Sequence, residues 1–185
     1  MDTITERGAL HGATLSPLGN RLAVSLAPQC GRIALRAAES DRQRLSEALG
    51  FALPAEIGDL HVAGQTLAAC LGPDEWQILV PEAEVEAIQS RLEPLRDRCS
   101  VVDVSHRELG IEVRGSAATL ALSGFCALDL DAMPSGSVTR TILDKATAIL
   151  VKHGPDHYRI EVWNSFASHV WELLACAHTE IRLDV

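Results

Sequence analysis

Lysine is scarce in this chain. Only Lys145 and Lys152 occur among its 185 residues, and the 16 basic side chains face 25 acidic ones, for a formal net charge of −9. A protein that binds nucleic acid contacts the phosphates with clustered basic side chains, so this charge balance argues against a nucleic-acid partner. No apolar run approaches the roughly 20 residues that cross a bilayer, and Asp2, Glu6 and Arg7 interrupt the N-terminus where a signal peptide would need an apolar core. We therefore expect a cytoplasmic protein with no membrane partner.

Cysteine pairs and metal-binding spacings are also missing. The five cysteines are an odd number, lie far apart and include no CxxC, so neither a disulfide framework nor a zinc knuckle is indicated. His153 and His157 are four residues apart, but the intervening Gly154 and Pro155 indicate a turn rather than a helix face. We expect no metal site, because metal binding needs convergent ligands.

The familiar catalytic motifs are absent as well. The chain contains no GxGxxG, GxxxxGK[ST], GxSxG or HExxH, so dinucleotide, phosphate-loop, serine-hydrolase and zinc-protease chemistry have no local support. Ser105 and His106 are neighbours on a strand-like segment, and they would point to opposite faces of that strand. We therefore expect no catalytic residue in this chain.

An internal repeat is what the sequence does contain. RIALR at residues 32–36 recurs in pattern as GIEVR at residues 110–114, and GPDEW at residues 72–76 recurs as GPDHY at residues 154–158. Each copy predicts a strand with alternating apolar residues, a helix, a hairpin that turns at Gly-Pro-Asp, and a closing helix. Ser40 or Asp41 is the expected cap of the first helix, and Ser116 is its counterpart in the second copy.

This pattern predicts an α+β fold made of two pseudo-repeated strand-helix-hairpin-helix units of the ferredoxin-like kind. Each unit should form a mixed sheet with its helices on one side. We expect an irregular N-terminal arm at residues 1–20, a first unit at 21–98 and a second unit at 99–185.

The last helix carries more apolar surface than one contact requires. Over residues 165–177 the apolar side chains cover an arc of about 200°, against about 100° for an ordinary surface helix. Four of the seven aromatic residues fall within residues 158–171. Tyr158 suits the core, whereas Trp163, Phe166 and Trp171 are the predicted partner interface, because tryptophan is enriched at the buried centres of interfaces.

Asp103 lies between valines, where an unmatched carboxylate is costly. It can cap backbone amides or pair with Arg107. Alternatively, it can accept two N–H bonds from a cationic or pteridine-like ligand, with Arg140 as a partner for a carboxylate of that ligand.

Three stretches resemble the gamma subunit of heterotetrameric sarcosine oxidase. They are VDVSHR at residues 102–107, TRTILDKA at 139–146 and, most specifically, YRIEVWNSFASHVWELL at 158–174. The Leu53-Pro54 pair and the GPDEW turn fit as well, so the resemblance covers most of the chain beyond residue 30.

The resemblance implies a non-catalytic small subunit that assembles with alpha, beta and delta subunits. Such a complex demethylates sarcosine to glycine, passing the one-carbon unit to tetrahydrofolate and electrons to oxygen. FAD, FMN, NAD and tetrahydrofolate would belong to the other subunits, with no cofactor in this chain. The implied fold is similar to the folate-binding fold of aminomethyltransferases, and Asp103–His106 resembles their DxSH segment. The alternative is a stand-alone tetrahydrofolate-binding or one-carbon transfer protein.

Overall fold

The computed structural model describes Leu10 and residues 13–184. Ten strands and four α-helices follow one another along these residues. In chain order they are β1 (Ala23–Leu26), β2 (Gly31–Ala37), α1 (Arg42–Leu49), β3 (Leu60–Ala63), β4 (Thr66–Gly72), β5 (Glu75–Val80), α2 (Val85–Leu92), β6 (Cys99–Asp103), β7 (Glu108–Arg114), α3 (Ala118–Ser123), β8 (Ser137–Leu143), β9 (Ala146–Gly154), β10 (His157–Trp163) and α4 (Asn164–Leu183). No helix in this described part has the length and apolar character to cross a lipid bilayer.

The chain divides into two compact units. The early unit comprises residues 28–105 with 137–139, and the late unit comprises the described residues up to Ala27 with 106–136 and 140–184. These bounds differ from the expected boundaries after residues 20 and 98. The difference arises because β1 pairs with β7 of the late unit, while β6 pairs with β2 of the early unit.

The early unit contains a five-stranded sheet in the order β3-β4-β5-β2-β6. Alternate residues of β2 and β5 bury one face of this sheet against α1 and α2, as the period-2 pattern around Ile33 and Leu35 predicts. Trp76 is fully buried in this core, and its indole N–H donates to the carbonyl oxygen of Pro54 at 2.8 Å.

The late unit repeats this arrangement with the order β1-β7-β10-β9-β8. Ile111 and Val113 of β7 and Ile160 of β10 bury one sheet face against α3 and α4. Tyr158 belongs to the same core, as predicted, and its hydroxyl lies 2.8 Å from the hydroxyl of Thr119. Both units therefore confirm the predicted order of strand, helix, hairpin and helix.

Strand direction differs from the mixed sheet that we expected. β2 pairs antiparallel with β5, and β7 pairs antiparallel with β10. The strand parallel to β2 is β4, but the returning arm of the hairpin, β5, separates the two. The same holds for β9 and β7 in the late unit.

The predicted helix caps are wrong. Neither Asp41 nor Ser116 makes a side-chain capping bond, because a 3₁₀ turn at Glu39–Asp41 leads directly into α1 and Ala117 takes the cap position of α3. The carboxylate of Asp41 instead accepts a bond from Arg98. At the C-terminal end of α1, Gly50 adopts the left-handed conformation with φ 81°.

Candidate partner interface

Trp163 is the last residue of β10 and the residue directly before α4. Because side chains alternate along a strand, Ile160 and Val162 point to opposite faces from Glu161 and Trp163, and the first pair enters the core. Trp163 consequently remains 48% exposed. Its position follows from the strand register rather than from the helix pattern.

Arg107 lies against this tryptophan. Its guanidinium carbon is 5.2 Å from the centroid of the Trp163 ring, and one guanidinium nitrogen donates to Glu108 at 3.4 Å. Asn164 holds the turn before β7 in place. Its backbone N–H donates to the carbonyl oxygen of Arg107 at 2.9 Å, and its side-chain amide donates to the carbonyl oxygen of His106 at 2.7 Å. The stacked pair is therefore anchored at both ends.

We use the name Trp163 surface for the stacked Trp163 and Arg107 side chains together with the half-buried Phe166, which follows three residues later in the chain. Tryptophan and arginine are the residue types that most often carry the binding energy of protein interfaces. An indole offers a large apolar area with little rotamer freedom to lose, and a stacked guanidinium is similarly ordered before binding. The chemistry of this surface suits a protein partner rather than a reacting substrate.

Trp171 does not belong to this surface, contrary to expectation. It is 8% exposed and is part of the late unit's core. The wide apolar arc of α4 is covered within the same unit, where Leu10, Leu15 and Leu18 join that core. The imidazole of His178, farther along α4, also lies 2.8 Å from the carbonyl oxygen of Ser16.

Asp103 acts within its own loop. Its Oδ1 accepts bonds from the backbone N–H of Ser105 at 2.9 Å and from the Ser105 hydroxyl at 2.5 Å, and that hydroxyl accepts from the backbone N–H of Arg32. This geometry is the capping alternative, with the serine rather than Arg107 as partner. Ser105 and His106 lie in a turn, not on a strand, and β6 is an exposed edge strand rather than a buried one.

Arg140 is exposed on β8 and belongs to the late unit, whereas Asp103 belongs to the early unit. A folate contact by these two residues stays a prediction.

Two of the cysteine thiols, those of Cys70 and Cys99, are held in the protonated form by their surroundings. Burial raises the pKa of Cys70 above its ordinary value, and burial followed by the charges of Asp41 and Asp97 raises the pKa of Cys99. Both thiols therefore stay protonated at neutral pH, and a protonated thiol is a weak nucleophile. Cys99 lines a groove of about 500 Å³ between α2 and β6, where its thiol donates to the carbonyl oxygen of Leu95.

Sequence reasoning missed a cluster of charged residues on the late sheet, which we call the Glu112 cluster. Its members are Glu112, Arg114, His153, His157, Arg159 and Glu161. Glu112 Oε2 lies 2.5 Å from His157 Nε2, and Arg159 bonds Glu161 at 2.6 Å. Strand alternation predicts one apolar face for β7 and β10, but on the opposite face both glutamates are buried as well. The sequence feature that could have indicated the cluster is the opposite charge of Glu112 and Arg159, which are directly paired across β7 and β10.

Burial and the neighbouring His157 lower the pKa of His153 in this cluster. The charged groups bond one another, so the cluster is a structural network. Among the described residues, no group of three histidine, cysteine or acidic side chains is placed to hold a metal ion.

Comparisons with solved structures support the fold. A chain of heterotetrameric sarcosine oxidase from Corynebacterium sp. U-96, in complex with pyrrole 2-carboxylate, superimposes with a TM-score of 0.80 at 26% identity, covering 93% of this chain and 90% of that chain. The glycine cleavage system aminomethyltransferase T from Bartonella henselae gives a TM-score of 0.66 at 15% identity over 84% of this chain and 46% of that chain. The second likeness concerns the fold alone, and it confirms the expected similarity to aminomethyltransferases.

Sequence comparisons agree on one family. The sarcosine oxidase subunit gamma of Corynebacterium sp. (strain U-96) is 32% identical over 143 residues, which are 74% of this chain and 68% of that protein. The corresponding subunit of an Arthrobacter species is 29% identical over 139 residues, with the same coverage. The model of the sarcosine oxidase gamma subunit family matches residues 36–180. The chain therefore belongs to the sarcosine oxidase gamma subunit family.

Proposed function

We propose that this chain is the small subunit of a heterotetrameric sarcosine oxidase and that it serves assembly rather than catalysis. The observation that carries the proposal is the match, over nine-tenths of both chains, to a solved chain of such a complex. Its partners are the alpha, beta and delta subunits in the cytoplasm. FAD, FMN, NAD and tetrahydrofolate are bound by those subunits, which oxidatively demethylate sarcosine to glycine.

The state of the reactive groups supports an assembly role. The Asp103 carboxylate is bonded within its own loop, and the Glu112 cluster matches its acidic side chains with basic ones. Cys70 and Cys99 are held protonated by burial. These groups contribute to the folded chain itself and need no substrate to complete their bonding.

The Trp163 surface is the proposed contact with a larger subunit. A stable interface buries about 1,200–2,000 Å² in total and concentrates its binding energy in a few central residues. Trp163 fits the central position because it is half exposed and lies against Arg107, and the half-buried Phe166 is a further proposed contact.

Co-expression with the alpha, beta and delta chains tests this role. We expect the tagged chain to co-purify with them in a complex that oxidises sarcosine, and the isolated chain to show no oxidase activity. Trp163→Ala should weaken assembly by about 30-fold or more, as expected for a central interface residue. Leu120→Ala is the matched control, since Leu120 is also exposed, on α3 of the same unit. Failure of the wild-type chain to associate, or oxidation of sarcosine by the chain alone, would overturn the proposal.

A further inference from the structure

The Trp163 surface exposes a guanidinium group in a chain that carries a formal net charge of −9. Arg107 is half exposed, with 50% of its side chain open to solvent, and it lies beside the start of α4. The first turn of this 20-residue helix carries no acidic side chain, and Trp163 in the cap position makes no side-chain capping bond. A helix N-terminus bears a partial positive charge, so a cation beside it is unfavourable until an anion approaches.

The bonding of Arg107 is incomplete in this unit. Its carboxylate contact among the described residues is Glu108, at the long distance of 3.4 Å, and the Glu108 side chain is almost fully buried behind it. A guanidinium carries five N–H donors, and stacking on an aromatic ring occupies its face while leaving its edge available. The exposed edge of Arg107 can therefore bind a second carboxylate through two parallel hydrogen bonds.

We infer that the Trp163 surface binds an acidic segment of a larger subunit, with a carboxylate on Arg107 and an adjacent apolar side chain against Trp163 and Phe166. The inference rests on the proposed function and names the chemistry of the partner at that contact. Charge complementarity selects this occupant, because a carboxylate satisfies the guanidinium edge and the positive start of α4 together, whereas a basic or purely apolar segment satisfies neither.

Charge variants in the co-expressed complex test the inference. The readout is the NaCl concentration that releases half of the gamma chain from the immobilised larger subunits. We expect Arg107→Glu and Arg107→Gln to weaken binding to the larger subunits by about tenfold or more, because each leaves a partner carboxylate unmatched at the interface. Both variants should therefore be released at a lower NaCl concentration than the wild-type chain. Arg107→Lys should be intermediate, since lysine keeps the charge but loses the planar fork.

Arg44→Glu is the matched control, because Arg44 is an exposed arginine of the early unit and its reversal makes the same change in net charge. Thermal melting of each isolated variant identifies any loss of folding, and Arg107→Gln decides the question if Arg107→Glu does not fold.

The outcomes separate the inference from the function on which it rests. If the wild-type chain assembles and both Arg107→Gln and Arg107→Glu are retained equally well at every salt concentration, the inference fails and the proposed function stands. If the wild-type chain does not assemble, both fail. If the isolated chain forms a dimer that Arg107→Glu dissociates, the occupant is a second copy of this chain and the inference is overturned.

Discussion

At the scale of single residues, the Glu112 cluster contains two buried carboxylates, those of Glu112 and Glu161. Glu112 lies on β7 with His157, Arg159 and Arg114 around its carboxylate, and the His153 ring packs against His157 with centroids 4.6 Å apart. Placing a carboxylate in such a site without partners would cost several kcal/mol, so the surrounding cations are a condition of its burial. Within this cluster His153 is the residue whose protonation is disfavoured, because burial and the neighbouring cations both lower its pKa.

The first prediction concerns the pH dependence that His153 contributes. Its pKa is lowered in the folded chain, first by burial and then by His157, whereas the unfolded chain titrates near 6.5. Below that pH the unfolded chain therefore binds more protons at this site, and the free energy of unfolding decreases as the pH falls. We expect wild-type protein to lose more stability between pH 7.5 and 5.5 than His153→Gln, as measured by urea denaturation. His106→Gln, at an exposed histidine of the same unit, should behave as wild type. Equal pH dependence of wild type and His153→Gln would contradict this account.

Trp163 and Trp171 show how much of a single residue's burial can be predicted from the sequence. An apolar arc on a helix gives the width of the surface to be covered, but it does not say which part of the protein covers it. For Trp171 the cover is the unit's own core, including residues from near the N-terminus more than 150 positions away in sequence. Trp163 remains exposed because it occupies the last, outward-facing position of a strand.

At the scale of elements, the strands and turns that a local sequence pattern specifies were predicted, and those that depend on distant pairing were not. The two Gly-Pro-Asp hairpins and the central strands β2 and β7 were predictable, because turn chemistry and period-2 alternation act within a few residues. The edge strands β1, β3 and β8 were not predicted, because β1 and β3 have only four residues each and β8 lacks a regular alternation of buried and exposed residues. Each sheet also recruits its fifth strand, β6 or β1, beside the equivalent strand β2 or β7. That pairing joins distant segments and could not be predicted from a repeat of contiguous halves.

The second prediction concerns the joint between β1 and β7. Gly115 follows β7 with φ 117°, and an added Cβ would lie 2.4 Å from the carbonyl oxygen of Arg21. Both the backbone conformation and the space require glycine, so we expect Gly115→Ala to lower the free energy of unfolding by about 2 kcal/mol or more. Gly124→Ala is the control, because Gly124 has φ −64° and its nearest atom would be 4.0 Å away. Urea denaturation of both variants measures the difference, and a loss no larger for Gly115→Ala than for Gly124→Ala would refute the steric argument.

For the whole molecule, the chain path makes the late unit discontinuous. Its sheet needs β1 from before the early unit, and the buried side chains of Leu22 and Val24 enter its core. The five strands of the early unit, in contrast, all come from residues 31–103. The described residues before the early unit, Leu10 and 13–27, thus belong to the late unit. The irregular arm expected at residues 1–20 lies partly outside the described residues, and residues 13–20 form no helix or strand.

The last prediction uses the tryptophans as separate reporters of the two units. Trp76 is buried in the early core and Trp171 in the late core. Among the described residues, deleting residues 1–27 removes the edge strand β1 and three buried aliphatic side chains, those of Leu10, Leu22 and Val24, each worth about 2 kcal/mol or more. We expect a red shift of Trp171 emission in the deletion variant, measured with Trp76 and Trp163 replaced by phenylalanine. Trp76 emission, measured with the other two tryptophans replaced, should keep the emission wavelength of a buried tryptophan, because the early sheet retains all its strands.

Full-length chains with the same replacements are the controls. An unshifted Trp171 would mean that β1 is dispensable for the late core, and a red-shifted Trp76 would mean that the early unit depends on the N-terminal segment for its fold.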